Sequence, residues 1–191
     1  MSISDNVALA KRNIALAAEH AGRRAEDIYL VGATKMNDTA RVREAIAAGL
    51  PICGENRVQE LVQKNAEHAY DGAALHFIGH LQKNKVRHVV GAVSLIHSVD
   101  SLELMYCIGR TAEARGLTQD ILLEVNIGAE EAKSGFAPGD IPAALAHASA
   151  VKGIFVRGLM AIPPICADGE ENRPYFKLMN QLFIDNSEKK Y

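Results

Sequence analysis

The sequence predicts an α/β fold with a parallel sheet, arranged as a TIM-type barrel rather than an open doubly wound sheet. Short apolar segments typical of buried strands alternate six times with segments of helical periodicity, as in parallel strands joined by helices. No Gly-x-Gly-x-x-Gly follows the first strand and no Walker-type glycine loop occurs, so the usual signature of a nucleotide-binding open sheet is missing. A complete barrel has eight units and needs at least about 200 residues. The chain of 191 residues therefore predicts one domain, residues 1–191, with six of the eight units.

Each predicted element rests on apolar spacing and on residues that begin or end helices. Ser4 or Asp5 is the expected cap of the first helix, residues 37–39 offer capping oxygens to the second, and Asp100 or Ser101 to a later one. The predicted strands are 29–35, 50–53, 75–78, 94–97, 121–127 and 154–161. The predicted helices are 3–21, 37–47, 58–68, 84–90, 100–115, 140–150 and 171–183.

Composition and charge exclude several classes of protein. The 21 Lys and Arg residues against 23 Asp and Glu residues give a net charge of -2, which disfavours binding to nucleic acid. The first 21 residues contain charged side chains where a signal peptide is apolar, and no later run suits a membrane span. The three cysteines, Cys53, Cys107 and Cys166, form no Cys-x-x-Cys pair, which indicates reduced thiols in the cytoplasm.

The segment from Tyr29 to Lys35 is the most informative part of the chain. It is an apolar, β-branched run that ends on a lysine, and a parallel strand delivers its last side chain to the face where ligands bind. An amine held there can lose its proton and form a Schiff base with a carbonyl compound. The simpler alternative is a solvated lysine at a strand end, because charged side chains normally lie in water.

Polar side chains also follow other predicted strands, and each has a simpler explanation. Asn56 follows the second strand and could be only a helix cap, whereas Glu55 and Arg57 are expected to form a solvated ion pair. His80 follows the third strand, but with His76 it does not predict a metal site. Two further candidates, at the ends of the fifth and sixth strands, are Asn126 and Met160.

Taken together, these loops resemble those of the pyridoxal phosphate homeostasis protein family (YggS/PROSC), whose barrel is similar to the N-terminal domain of alanine racemase. The resemblance extends from the first helix to about Phe183 and is carried by the strings VGATK, GENRVQE, HFIGHLQKNK, EVNIGAEEAKSGF and GLMAIPP. It implies a barrel of pyridoxal phosphate fold type III, with pyridoxal 5'-phosphate held by Lys35 as an internal aldimine. It further implies cofactor-binding roles for Asn56, His80, Asn126 and Met160, with no catalytic residue and no metal.

The resemblance also implies a role. The protein is expected to act in intracellular vitamin B6 homeostasis by binding the cofactor, buffering it or handing it to apoenzymes, without established catalysis. Members of the family continue past Tyr191 with two further segments that hold the cofactor's phosphate. A chain truncated before these segments is expected to bind the cofactor weakly, and it is expected to self-associate where the family is monomeric.

Two other functions stay open on the sequence. The first is a pyridoxal-dependent amino-acid racemase, which needs a second acid or base opposite Lys35, and none of the tyrosines is assigned to that place. The second is a cofactor-free Schiff-base lyase or aldolase that uses the Lys35 amine directly. Lys133 is the nearest rival to Lys35 by its position in the motifs.

Overall fold

The computed structural model describes residues 1–130 and 133–187 and contains the six strands and seven helices that the sequence predicts. The strands are β1 (Val31–Ala33), β2 (Ile52–Glu55), β3 (Ala74–Phe77), β4 (Leu95–Val99), β5 (Gln119–Glu124) and β6 (Ile154–Met160). The helices are α1 (Ile3–His20), α2 (Thr39–Ala47), α3 (Val58–Ala66), α4 (Val86–Val89), α5 (Leu102–Glu113), α6 (Ile141–Ser149) and α7 (Arg173–Ser187).

The chain divides into two compact units, Met1–Ile78 and Gly79–Tyr191. In the first unit, β1 pairs with β2 and β2 with β3, all parallel, with Ala33 opposite Gly54 and Gly54 opposite His76. In the second unit, β4 pairs with β5 and β5 with β6, again parallel. Parallel strands bring their carboxyl ends to the same edge of a sheet, so the residues that follow the strands within one unit are neighbours.

Helix caps fix the start of two helices in the first unit. Ser2 begins α1, because its side chain accepts from the backbone N–H of Asp5 while the Asp5 side chain accepts from the N–H of Ser2. The predicted cap at Ser4 or Asp5 was therefore wrong by two or three residues, and Asp5 acts as the partner of the true cap. At α2 the prediction is confirmed, since Asp38 accepts from the N–H of Arg41.

Strand β1 is shorter than the sequence predicts. It ends at Ala33, and Lys35 with Met36 forms a turn in which Met36 has a left-handed φ of 59°. The N–H of Thr34 still bonds the carbonyl of Gly54, so the ladder extends one residue past the strand. Lys35 thus lies just beyond the strand, although the sequence places it on the last strand position.

The core of the second unit is built on its three strands. Ile96 of β4 and Ile121 and Leu123 of β5 are fully buried, as are Met105 and Ile108 of α5. Strand β5 ends three residues before the predicted limit, because Phe136 pairs with the chain at this point: its N–H donates to the carbonyl of Glu124 at 2.8 Å. The polar loop that follows β5 is thereby folded back onto the strand end.

Among residues 1–130 and 133–187, none of the helices combines the length and the hydropathy that a bilayer span requires.

Candidate functional site

Lys35 lies at the carboxyl edge of the first unit, with its side chain exposed. Its amine makes no hydrogen bond or ion pair with any residue in the described part of the chain. A lysine amine in such a place is accessible to a carbonyl compound, whereas one held in an ion pair is less so. The geometry is therefore compatible with the predicted Schiff-base role.

Asn56 lies at the same edge, on the neighbouring strand. The β1–β2 ladder ends with Ala33 opposite Gly54, and Lys35 and Asn56 each follow this pair by two residues. Asn56 is half-buried, and its side-chain oxygen is fully buried without a hydrogen-bond partner among the described residues. It does not cap α3, whose N-cap is Arg57. A buried acceptor without a partner suits a polar ligand beside Lys35, since such atoms are normally bonded.

A group of polar side chains lies beneath this edge, and we call it the Glu55 cluster. Glu55 is fully buried, and its Oε1 accepts from Thr34 Oγ1 at 2.7 Å, from Lys64 Nζ at 2.8 Å and from the Tyr70 hydroxyl at 3.0 Å. The fifth member, Glu60, is 3.2 Å from Lys64 Nζ. Burial, with a contribution from Glu55, raises the pKa of the Tyr70 phenol, which therefore stays protonated as a donor.

The Glu55 cluster corrects one prediction and was missed by the sequence reasoning. Glu55 does not form a solvated pair with Arg57; its partner is Lys64, and the exposed Arg57 lies 3.8 Å from Glu60 instead. The physical reason is that Glu55 is the last residue of a strand buried along its whole length. The available signal was the Glu60–Lys64 spacing of four residues, which places both side chains on one helix face.

In the second unit, His80 pairs with an acidic residue that the sequence reasoning considered only as a helix cap. His80 Nδ1 lies 3.2 Å from Asp100 Oδ2; the side chain of His80 is exposed, whereas that of Asp100 is largely buried. Asp100 comes directly after β4. A carboxylate in this position can orient the imidazole ring by accepting from its Nδ1 atom.

Asn126 follows β5 and organises the loop after it. Its amide nitrogen donates to the carbonyls of Glu130, at 2.8 Å, and Lys133, at 3.2 Å, and its side-chain oxygen accepts from the N–H of Glu130. Both ends of the amide are therefore used within the loop. Lys133, the rival to Lys35, is engaged as well, because its Nζ lies 2.6 Å from Glu130 Oε1.

Met160 is the last residue of β6 and is half-buried. It lies opposite Glu124 in the β5–β6 ladder, and its carbonyl accepts from the N–H of Val125. Burial raises the pKa of the Glu124 carboxyl. A cavity of about 270 Å³ opens at this end of β5 and is lined by Glu124, Val125, Asn126, Lys133, Ser134 and Ile162.

The five predicted site residues are thus distributed over both units. Lys35 and Asn56 lie together at the carboxyl edge of the first unit, and Asn126 and Met160 at the ends of adjacent strands in the second. His80 lies at the start of the second unit beside Asp100. Within residues 1–130 and 133–187, no three His, Cys, Asp or Glu side chains are grouped so that they could hold a metal ion.

Comparison with known proteins decides the family. Residues 6–188 match the model of the alanine racemase N-terminal domain. The pyridoxal phosphate homeostasis protein of Aquifex aeolicus is 37% identical over 182 residues, covering 95% of this chain and 80% of the relative. The chain belongs to the pyridoxal phosphate homeostasis protein family. The family member from Pseudomonas aeruginosa is 36% identical over 184 residues, 96% of this chain and 80% of that protein.

Solved structures agree with this assignment to the pyridoxal phosphate homeostasis protein family. A protein of unknown function from Bifidobacterium adolescentis superposes with a TM-score of 0.87 at 37% identity, over 94% of this chain and 77% of the other. PipY of Synechococcus elongatus, solved with PLP bound, gives a TM-score of 0.73 at 32% identity, over 82% and 74%. Diaminopimelate decarboxylase of M. jannaschii, at 17% identity and a TM-score of 0.75, shares the fold over 97% of this chain and 46% of the enzyme.

The family membership confirms two predictions. The resemblance inferred from the loops is correct, and so is the α/β fold class, that of the TIM-type barrel of the alanine racemase N-terminal domain. This chain contributes six strand–helix units to that fold.

Proposed function

We propose that this protein binds pyridoxal 5'-phosphate and acts in intracellular vitamin B6 homeostasis, carrying the cofactor as a Schiff base on Lys35, with no catalytic turnover of its own. The observation that carries the proposal is the exposed Lys35 amine, unpaired within the described residues, beside the buried and unpartnered oxygen of Asn56. The names of the relatives from Aquifex aeolicus and Pseudomonas aeruginosa, and the PLP bound in PipY, support it.

The residues of this chain have distinct roles in the proposal. The Lys35 amine adds to the aldehyde carbon of the cofactor, and loss of one water leaves a carbon–nitrogen double bond that an incoming amine can exchange. Asn56 offers its unpartnered oxygen to a polar group beside the amine. His80 supplies a ring held by Asp100, Asn126 shapes the loop after β5, and Met160 offers an apolar surface.

The remaining parts of the proposal concern domain organisation, partners and location. We propose that residues 1–191 form one cofactor-binding domain, that the acceptors are apoenzymes needing the cofactor, and that self-association competes with a monomeric state. The cytoplasm is the proposed location, because the cysteines, Cys53, Cys107 and Cys166, are free thiols, which persist in a reducing compartment.

The racemase alternative requires a second acid or base, and Tyr70 does not suit that role. Its hydroxyl donates to Glu55, it is buried, and burial raises its pKa. Exchange of solvent deuterium into the α-carbon of alanine, lost in Lys35→Ala, would support racemisation instead. A carbonyl substrate trapped on Lys35 in cofactor-free protein would support a lyase.

The test is covalent trapping of the cofactor. The purified protein is mixed with pyridoxal 5'-phosphate, its absorbance is recorded, and borohydride reduction is followed by peptide mass spectrometry. We expect one cofactor mass on the peptide that contains Lys35, and no such absorbance in Lys35→Ala or Lys35→Arg. Lys152→Ala, which alters an exposed lysine of the second unit, is the matched control and keeps the linkage. Cofactor found on Lys133, or on no lysine, would contradict the proposal.

A further inference from the structure

The residues on both sides of Lys35 are tied to the Glu55 cluster. The carbonyl of Thr34, the preceding residue, accepts from Lys64 Nζ at 2.8 Å, and the Thr34 hydroxyl donates to Glu55. The N–H of Met36, the following residue, donates to Glu60 Oε2 at 2.8 Å. The peptide groups before and after Lys35 are therefore held by the same charged group of residues, whereas its side chain is free.

The ammonium group of Lys64 is fully used by these contacts. It has three donors, and its partners are the carbonyl of Thr34, Glu55 Oε1 at 2.8 Å and Glu60 Oε2 at 3.2 Å. The Lys64 side chain is only 7% exposed and that of Glu55 is 0% exposed. Apolar residues of the same shape often stabilise a fold as well as a buried ion pair does, so the presence of this pair is weak evidence for a purely stabilising role.

The backbone beside Lys35 has a conformation that needs support. Met36 has a φ of 59°, in the left-handed region, which is uncommon for a residue other than glycine, asparagine or aspartate. Such a conformation persists where the surroundings over-determine it, and strained residues of this kind concentrate at functional sites. Here the support is the bond from the Met36 N–H to Glu60, which Lys64 in turn holds.

We infer that Lys64 and Glu60, together with the buried Glu55, are positioning residues that fix the peptides on either side of Lys35 and so present its amine at the carboxyl edge of the strands. The inference deepens the proposed function and rests on it for the identity of Lys35 as the cofactor lysine. We do not propose that Lys64, Glu60 or Glu55 contacts the cofactor. Their effect passes through the backbone of residues 34–36.

The test uses the whole protein and two measurements. The first is hydrogen exchange at the Met36 amide in cofactor-free protein, resolved by NMR. The second is the rate at which pyridoxal 5'-phosphate becomes linked to Lys35, followed by absorbance from pH 6 to pH 9. In Lys64→Met we expect exchange at Met36 to rise about tenfold or more, since the segment opens locally. The linkage rate should fall about tenfold to a hundredfold, as misplacement of a reacting group does.

Matched variants separate positioning from stability. Lys64→Arg keeps the charge and Glu60→Gln keeps an acceptor for the Met36 N–H, so both should stay closer to the wild type than Lys64→Met and Glu60→Ala do. Leu61→Ala creates a cavity on the same helix without removing a member of the Glu55 cluster. It should lower stability while exchange at Met36 and the linkage rate stay at wild-type values under conditions where the protein is folded.

The outcomes are distinguishable. A folded Lys64→Met with wild-type exchange at Met36 and a wild-type linkage rate overturns the inference; if that variant does not fold, Glu60→Ala decides by the same two measurements. A Leu61→Ala variant that matches Lys64→Met in both measurements also overturns it, because loss of stability then explains the effect. If the wild-type protein forms no linkage at Lys35, the proposed function fails, and exchange at Met36 alone decides whether the segment is held.

Discussion

The ammonium of Lys64 lies 2.8 Å from the carbonyl oxygen of Thr34, the residue immediately before Lys35. A buried lysine thereby supports the backbone next to an exposed one, and the two lysines have different tasks. Lys64 forms ion pairs with Glu55 and Glu60, whereas the Lys35 amine has no partner among the described residues. The contrast separates the chemistry of the site from its support.

We expect the Glu55–Lys64 pair to behave as one unit in stability measurements. Lys64→Met alone should lower the free energy of unfolding by about 3–5 kcal/mol, because it leaves the Glu55 carboxylate buried and unpaired. In the double variant Glu55→Gln with Lys64→Met, the loss of unfolding free energy should be smaller than the sum of the losses in the two single variants. A double-mutant cycle measured by urea unfolding would reveal this. Additive losses would contradict the coupling. Arg24→Ala, in the exposed pair with Glu26, is the control and should cost less than about 1 kcal/mol.

His76 should make the protein less stable in mild acid. The residue is half-buried, and burial lowers the pKa of its imidazole below the ordinary 6.5. The unfolded chain therefore binds a proton at His76 more readily than the folded protein does. The contribution of His76 to stability is fully present above pH 6.5 and is lost as the pH falls through the folded-state pKa, by at most about 1.4 kcal/mol per pH unit. The urea midpoint of His76→Gln should fall less steeply between pH 7 and pH 5. A slope equal to that of the wild type would refute this, and His20→Gln, on the exposed end of α1, should keep that slope.

Glu124 should give the pH dependence of stability the opposite sign to that expected for His76. Burial raises the pKa of its carboxyl, and Asp100 adds to this, whereas Ser134 and His80 lower it. Because the folded state holds this proton more tightly, the contribution to stability is present below the ordinary value of 4.5 and is lost as the pH rises through the folded-state pKa. The stability of Glu124→Gln relative to the wild type should therefore increase as the pH is raised from 4 to 7. Parallel curves of urea midpoint against pH would show that Glu124 does not contribute.

Gly109 of α5 should not tolerate a side chain, although alanine is the better helix former. A Cβ there would lie 2.4 Å from Val151 Cγ1 and 2.8 Å from the backbone oxygen of Lys152. We expect Gly109→Ala to cost about 1–3 kcal/mol from overpacking, which exceeds the gain in helix propensity. Gly139→Ala is the control, because a Cβ at Gly139 meets nothing within 4 Å. Thermal unfolding of both variants would check this, and equal melting temperatures would rule out the close contact.

Much of the fold follows from local sequence signals. Every predicted strand and helix is present, because apolar spacing and helix caps such as Asp38 and Ser101 act over a few residues. Boundaries failed where pairing with distant residues decides them. Strand β5, predicted to reach residue 127, stops at Glu124 because Phe136 pairs with Val125 just beyond it. Helix α1 begins at Ile3 as predicted, and only its cap, Ser2, was assigned wrongly.

The sequence by itself determined the α/β class, the order of the elements, the family resemblance and the choice of Lys35, since each depends on residue types at fixed spacing along the chain. Only the tertiary structure decided how Lys35 is supported. Lys64 follows Glu55 by nine residues and Tyr70 follows it by fifteen. The three side chains meet because the end of the buried strand β2, helix α3 and the segment after α3 converge. From the sequence alone, Glu55 and Arg57 are expected to form a solvated pair. The burial of Glu55 and its pairing with Lys64 depend on the folded chain.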